Sequence, residues 1–203
     1  SGVANAPKVL AELERNSMQA VLERHPGLTY SLEGESSASN ESLESLGIGY
    51  IFALLMIFGL LAIPFKSYLQ PIVVMSAIPF GIVGALIGHV LMGFDMSIIS
   101  LMGIVALSGV VVNDSLVLVD AANNFQAEGM SVRKAIESAG KRRCRPIVLT
   151  SLTTFLGLAP MIFETSVQAR FLIPMAISLG FGILYATVII LLFVPTVYTL
   201  IED

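Results

Sequence analysis

Charge is scarce in this chain of 203 residues: Asp, Glu, Lys and Arg together make up 13%, about half of what a soluble domain ordinarily carries. With 55% hydrophobic residues and a mean hydropathy of +0.84, this composition excludes a water-soluble globular domain and indicates a polytopic membrane protein. Cysteine is nearly absent too. Cys144 stands alone in a basic loop, so neither a disulfide nor a thiolate metal centre is implied. Met56, Met75, Met92, Met96, Met102, Met161 and Met175 are scattered and form no thioether ladder for a soft metal. The sequence has no Gly-rich phosphate loop, no nucleophile beside a base and no His/Cys cluster, which argues against an enzyme and against a bound cofactor. No basic face interleaved with aromatics appears, which argues against nucleic acid.

What is present is a series of apolar runs. Five predicted spans fall at about 46–65, 71–92, 97–121, 145–164 and 171–201, each long enough to cross a bilayer. The first closes at Pro64-Phe65-Lys66, and the second and fourth begin at Pro71 and Pro146. Gly81, Gly84 and Ala85 put a small-residue stripe on the second, and Gly180 and Gly182 lie in the fifth. Such residues let helices approach closely in lipid.

Residues 1–45 differ in kind. Pro7 to Arg24 is predicted as an amphipathic helix that His25-Pro26-Gly27 stops, and Leu28, Tyr30 and Leu32 alternate like a half-buried strand. Glu35 to Asn40 is predicted as a Ser-rich loop, with Asn40 as cap of the next helix. One helix and one strand cannot bury a core alone, so this stretch is expected to be the closing piece of a larger α+β domain outside the membrane. A start at Ser1-Gly2 with no signal-peptide layout agrees with that expectation. The expected fold is an all-α polytopic membrane bundle of five transmembrane helices preceded by a short α+β segment.

Lysine and arginine set the orientation. Lys66 lies between spans one and two, and Arg133, Lys134, Lys141, Arg142, Arg143 and Arg145 lie between three and four. The other two loops hold Asp95, and Glu164 with Arg170. The basic side is therefore expected to be cytoplasmic, with the C-terminus inside and residues 1–45 outside. Within the basic loop, residues of about 130–142 are predicted as a short amphipathic helix lying on the inner surface, capped by Ser131, with Val132, Ala135, Ile136 and Ala139 on one face.

The costly residues are Asn113 and Asp114 in the third span. An Asp at a helix centre costs about 2.5–3.5 kcal/mol on insertion scales, and such residues usually face a bundle interior and often mark an ion or proton path. Counting from Ser97, Asn113 lies about 24 Å along the helix and Asp120 about 35 Å along it, so Asp120 reads as a solvated end. At 100° per residue, Asn113, Asp120 and Asn124 share a stripe and Asp114 lies one step round. Two readings stand: a titratable group with its hydrogen-bonding neighbour, or a polar pair that glues helices. Thr150 and Ser151 in the fourth span are placed to relay protons or hydrogen-bond Asp114; the alternative is back-bonding to their own helix. His89 is read as hydrogen-bonded packing, and Glu164 with Arg170 as a structural pair.

Several stretches together resemble the C-terminal end of the permease of resistance-nodulation-division (RND) efflux transporters, near the hydrophobe/amphiphile efflux branch. They are Leu61-Ala62-Ile63-Pro64-Phe65-Lys66-Ser67-Tyr68, Pro79-Phe80-Gly81, Gly109 to Asp120, Arg145-Pro146-Ile147-Val148-Leu149-Thr150-Ser151 and Ala169-Arg170-Phe171. The resemblance implies that residues 1–45 close the second periplasmic porter domain and that the spans are the last five of twelve. It also implies a homotrimeric multidrug-type proton antiporter of the bacterial inner membrane, driven by the proton gradient. Its implied partners are the remainder of the permease chain, a periplasmic adaptor and an outer-membrane channel. In well-known members a lysine of this span joins two aspartates of the N-terminal half. Asn113 occupies that lysine position here, Asp114 stands where those members have Asn, and Thr150 matches a relay-associated threonine. The candidate relay is therefore Asn113, Asp114, Thr150 and Ser151. The alternatives are an RND exporter of another cargo (lipid, metal or protein) and a structural membrane subunit without a coupling role.

Overall fold

The computed structural model describes residues 35–166 and 169–202, and all regular structure among them is helical. The predicted helix Pro7–Arg24 and the strand around Leu28–Leu32 lie outside the described residues. The chain divides into two units, Ser1–Leu46 and Gly47–Asp203. Six α-helices and one 3-10 turn are described: α1 (Glu35–Phe65), α2 (Leu69–Met75), α3 (Ile78–Met92), α4 (Ile98–Ala127), α5 (Val132–Ile162), the turn Ala169–Phe171, and α6 (Ile173–Glu202). With α2 and α3 counted as one crossing, they supply five spans that are long and apolar enough for a membrane.

Proline, glycine and serine set most of the boundaries. The Ser-rich stretch from Glu35 to Asn40 is helix rather than loop, so Asn40 lies inside α1 and does not cap it. α1 closes after Pro64, and Lys66 takes a left-handed backbone at φ 50° to turn the chain toward α2. The second span, predicted as one helix, is offset at Ser76-Ala77. Pro79 explains the offset. It has no N–H to return to Met75, and its ring would press on the Met75 carbonyl group. The Ser76 hydroxyl donates instead to the Val73 carbonyl oxygen at 2.6 Å. α3 ends at Gly93, whose φ of 70° is the left-handed cap that glycine adopts without strain. α4 opens with a reciprocal cap: Ser97 Oγ accepts from the Ser100 N–H at 3.2 Å, and Ser100 Oγ accepts from the Ser97 N–H at 3.1 Å.

α5 differs most from its prediction. The expected surface helix of about 130–142 and the expected span from Arg145 are one helix of 31 residues, Val132–Ile162, running through Pro146. Membrane helices tolerate such prolines where neighbours hold the chain in place. Of the face Val132, Ala135, Ile136 and Ala139, the last three are buried in protein rather than laid on lipid, and Val132 is half-buried. The Ser131 side chain makes no capping bond.

α6 is the axis of the bundle, packing against α3, α4 and α5, while α4 also packs on α5, α3 and α2. Glycine makes these approaches possible. A Cβ on Gly84 would lie 2.5 Å from Tyr185 Cβ, and one on Gly103 would lie 2.7 Å from the Met175 carbonyl oxygen. Rings lock the same surfaces. Phe80 and Phe193 centre 4.7 Å apart, and Phe155 meets Phe181 edge-on at 5.6 Å.

Candidate functional site

The four candidate relay residues divide between two environments. Asp114 is 7% exposed and is the one buried acid among the described residues. Asn113 is exposed, as are Asp120 and Asn124 along the same stripe of α4. On α5, Thr150 is exposed and donates to the Ile147 carbonyl oxygen at 2.9 Å. Ser151 is buried; its Oγ donates to the same carbonyl at 2.9 Å and lies 2.6 Å from Thr187 Oγ1 of α6. Thr187 in turn donates to the Ile183 carbonyl oxygen at 2.7 Å. Two protons cannot both point along both bonds, so the Ser151–Thr187 contact takes one hydroxyl away from back-bonding at any instant. Among the described residues no hydrogen bond joins Asp114 to Asn113, Thr150 or Ser151.

Three polar layers cross the bundle around this acid. Toward the end opposite the basic loops, His89 is buried at 3% exposed. Its Nδ1 lies 3.0 Å from the Ala85 carbonyl oxygen and its Nε2 lies 2.9 Å from Ser100 Oγ. A carbonyl oxygen only accepts, so Nδ1 carries the proton, and in the neutral ring Nε2 accepts from the serine. The histidine fastens α3 to the start of α4, as packing rather than as an open proton carrier. In the middle, Ser108 Oγ donates to the Ile104 carbonyl oxygen at 2.9 Å and meets the Tyr50 hydroxyl of α1 at 2.8 Å. Ser115 and Ser178 have buried hydroxyl oxygens without a partner among the described residues.

The third layer, at the basic end, joins Gln70 of α2, Asn123 and Gln126 of α4 and Tyr198 of α6, three helices that no helical spacing links. Gln70 and Asn123 exchange amide bonds: Gln70 Nε2 donates at 3.2 Å and Asn123 Nδ2 donates back at 2.8 Å. The Tyr198 hydroxyl donates to Asn123 Oδ1 at 2.6 Å and accepts from Gln126 Nε2 at 3.0 Å. This ties α2, α4 and α6 together, and Tyr198 is fully buried. The available signal was the recurrence of an amide or phenol near one end of each of three spans, a place where a polar tip reaches past the apolar layer.

The predicted pair of Glu164 and Arg170 is absent among the described residues. Glu164 Oε1 instead accepts from the backbone N–H groups of Thr165 at 2.9 Å and Ser166 at 3.0 Å. Those donors favour the ionised form and hold the carboxyl below its usual range, the Ser166 N–H contributing most. The competition is local: two N–H groups within two residues are met before a side chain across the loop.

Comparison with known proteins places this geometry. The model of the AcrB/AcrD/AcrF family matches residues 3–202. The swarming motility protein SwrC of Bacillus subtilis (strain 168) is 33% identical over 173 residues, which are 81% of this chain and 16% of that protein. A heavy metal efflux pump, solved in two crystal forms, shares the fold with TM-scores of 0.76 and 0.73 at 24% identity. These matches cover 94% of this chain and 20% and 19% of the pump chains. The chain therefore spans a fifth or less of the length of these relatives. With the family model matched along nearly the whole sequence, the chain belongs to the AcrB/AcrD/AcrF family, the permeases of RND efflux transport.

Proposed function

We propose that this chain is the C-terminal half-bundle of a proton-driven RND permease that exports hydrophobic and amphiphilic compounds across the bacterial inner membrane. Its basic loops face the cytoplasm. The working unit is a homotrimer joined to a periplasmic adaptor and an outer-membrane channel, with the proton gradient as its energy source and no enzymatic step.

The observation that carries this reading is Asp114, a buried acid in an apolar helix with no cation beside it among the described residues. Placing an uncompensated carboxylate in a dry bundle costs several kcal/mol. Moving a two-state equilibrium from 1:99 to 99:1 takes about 5.5 kcal/mol. Gain or loss of one proton at Asp114 is thus of the right size to bias α4 between two packings against α6. The open face of α4 that carries Asn113, and the exposed Thr150 of α5, are where the other half of the permease would meet this one. Asn113 stands at the position of the family's lysine, so coupling here runs without that cation, and Asp114, on the inward side of α4, does not take its place spatially.

Asp114→Asn keeps shape and removes the titratable proton. Proton-driven efflux in the whole permease should fall at least tenfold while expression and insertion hold. Undiminished efflux would make Asp114 helix glue and place coupling in residues outside this chain.

A second reading keeps the family and changes the cargo. The shared fold with a heavy metal efflux pump favours considering it, but a common fold does not carry a substrate with it. A metal cargo would need ligands elsewhere in the permease. Transport assays with a metal ion and with an amphiphilic dye separate the two.

A further inference from the structure

The basic end of the bundle holds a small polar cavity that the transport reading does not use. It measures about 120 Å³ and is walled by Ala121, Asn124, Phe125 and Glu128 at the end of α4 and by Arg142 and Arg143 of α5. The Arg142 guanidinium carbon lies 5.8 Å from the centre of the Phe125 ring, which holds the side chain over an aromatic face. Arg143 Nε is enclosed and has no hydrogen-bond partner among the described residues. A buried guanidinium donor without an acceptor is a costly arrangement, and it calls for an anion. Glu128 shares the wall, yet among the described residues it forms no ion pair with either arginine; the pair that is formed nearby is Lys141 with Glu137, at 2.7 Å.

Location narrows the anion. Just beyond Arg143 the helix becomes apolar from Pro146 onward, so the cavity lies where α5 enters the hydrocarbon layer. Leu149 and Leu156, about two and four turns past Arg142 on the same side of α5, are exposed. Basic pockets between membrane helices at this level receive lipid headgroups. The wall therefore offers two guanidinium groups to an anion and one carboxylate to a donor, above an apolar track.

We propose that this cavity binds a phosphate anion, and that its source is the phosphodiester of a lipid whose headgroup carries a short donor arm, ethanolamine or glycerol. Arg142 and Arg143 take the phosphate oxygens, Glu128 takes the ammonium or hydroxyl, and an acyl chain follows Leu149 and Leu156. The proposal is independent of cargo and of proton coupling, because binding is read without transport.

The test is native mass spectrometry of the intact protein in detergent, with short-chain phosphatidylethanolamine, phosphatidylglycerol, phosphatidylmethanol or inorganic phosphate added separately. Phosphatidylethanolamine and phosphatidylglycerol should be retained. Arg143→Gln should cut their retention about tenfold, and Arg133→Gln, which removes the same charge from α5 outside the cavity, should change it less than twofold. Glu128→Gln should erase the preference for ethanolamine over methanol headgroups. Equal losses in the two arginine variants would replace the site with a diffuse basic surface, and unchanged retention in Arg143→Gln would remove it. Displacement of the lipid by inorganic phosphate at equal concentration would make the occupant a free anion and overturn the lipid assignment. Should Arg143→Gln fail to fold, Arg143→Lys keeps the charge without the Nε donor; a loss of about threefold supports the site and no loss overturns it.

Discussion

The membrane-crossing parts of α1 and α6 are equally apolar, yet the structure treats them differently. Half of α6's most apolar window is buried inside the bundle, against 6% of α1's. Lipid tails are as apolar as leucine, so hydrophobicity decides that a helix crosses the bilayer and is silent on which neighbours it takes. Shape decides that. α6 lies in a cradle of glycines: Gly84 and Gly88 of α3 admit Tyr185 and Phe181, Gly103 of α4 admits Met175 and Ser178, and its own Gly182 admits Leu107. The glycines of α1 in the same unit, Gly47, Gly49 and Gly59, have nothing within 4 Å of where a Cβ would stand. Their small size is unused by the described chain, and α1 offers Ile48, Ile51, Phe52, Leu55 and Ile63 to its surroundings instead.

The sharpest way to break this comparison is to make the same substitution on both sides. In Gly84→Ala the new Cβ would lie 2.5 Å from Tyr185 Cβ and 3.0 Å from the Phe181 carbonyl oxygen. Backbone cannot swing aside, so overpacking should cost about 3 kcal/mol. Gly59→Ala meets open space, and helix propensity predicts a change between zero and about 1 kcal/mol of stabilisation. Unfolding in mixed micelles with rising SDS measures both. If the two variants shift together, close packing is not what distinguishes the helices.

The second contrast sets two tyrosines against each other. Tyr198 of α6 is fully buried, whereas Tyr68, before α2, is 76% exposed. Tyr198→Phe strips a hydroxyl from Asn123 and Gln126, and these half-buried amides lose a partner they cannot replace from lipid. A destabilisation of about 1–2 kcal/mol is expected. Tyr68→Phe should stay within about 0.5 kcal/mol, by the same SDS titration. A small effect at Tyr198 would mean that Gln70 alone satisfies Asn123.

This cluster also shows where the sequence stops being legible. The five crossings could be read, because long apolar runs have no other stable home. So could the two sides of α4: helical spacing set Asn113, Asp120 and Asn124 on one stripe, and all three are exposed while Asp114 is turned inward. The glycine stripe at Gly81 and Gly84 could be read as a contact, though not as a contact with α6. Partners across the bundle could not be read. Gln70 and Asn123 are 53 positions apart and Asn123 and Tyr198 are 75 apart, so no spacing rule joins them. The sequence offers Asp114 to Ser151 as a partner, whereas in the structure Ser151 meets Thr187, because α5 packs on α6 along that face. Pro146 reads as a helix start, its ordinary meaning in water, whereas the helix runs through it.

The smallest predicted effect bears most directly on α1. Below Leu46, α1 rests on the bundle through Leu61, which is buried, through the partly buried Leu54, Ile57 and Phe65, and through the Tyr50 hydroxyl 2.8 Å from Ser108 Oγ. Beside these contacts lies an apolar cleft of about 520 Å³ between Ile51, Leu54, Leu55 and Phe58 of α1 and Ile72, Met75 and Ser76. A helix held by so few contacts beside an open cleft should be easy to loosen alone. Tyr50→Phe removes the bond without stranding its partner, because Ser108 keeps the Ile104 carbonyl oxygen at 2.9 Å. Global stability should therefore change by no more than about 0.5 kcal/mol, while backbone hydrogen exchange across residues 50–65 rises several-fold and that of α6 stays unchanged. If exchange in α6 rises in step with α1, the first helix belongs to the same cooperative unit as the axis, and low burial is a poor guide to independence in this bundle.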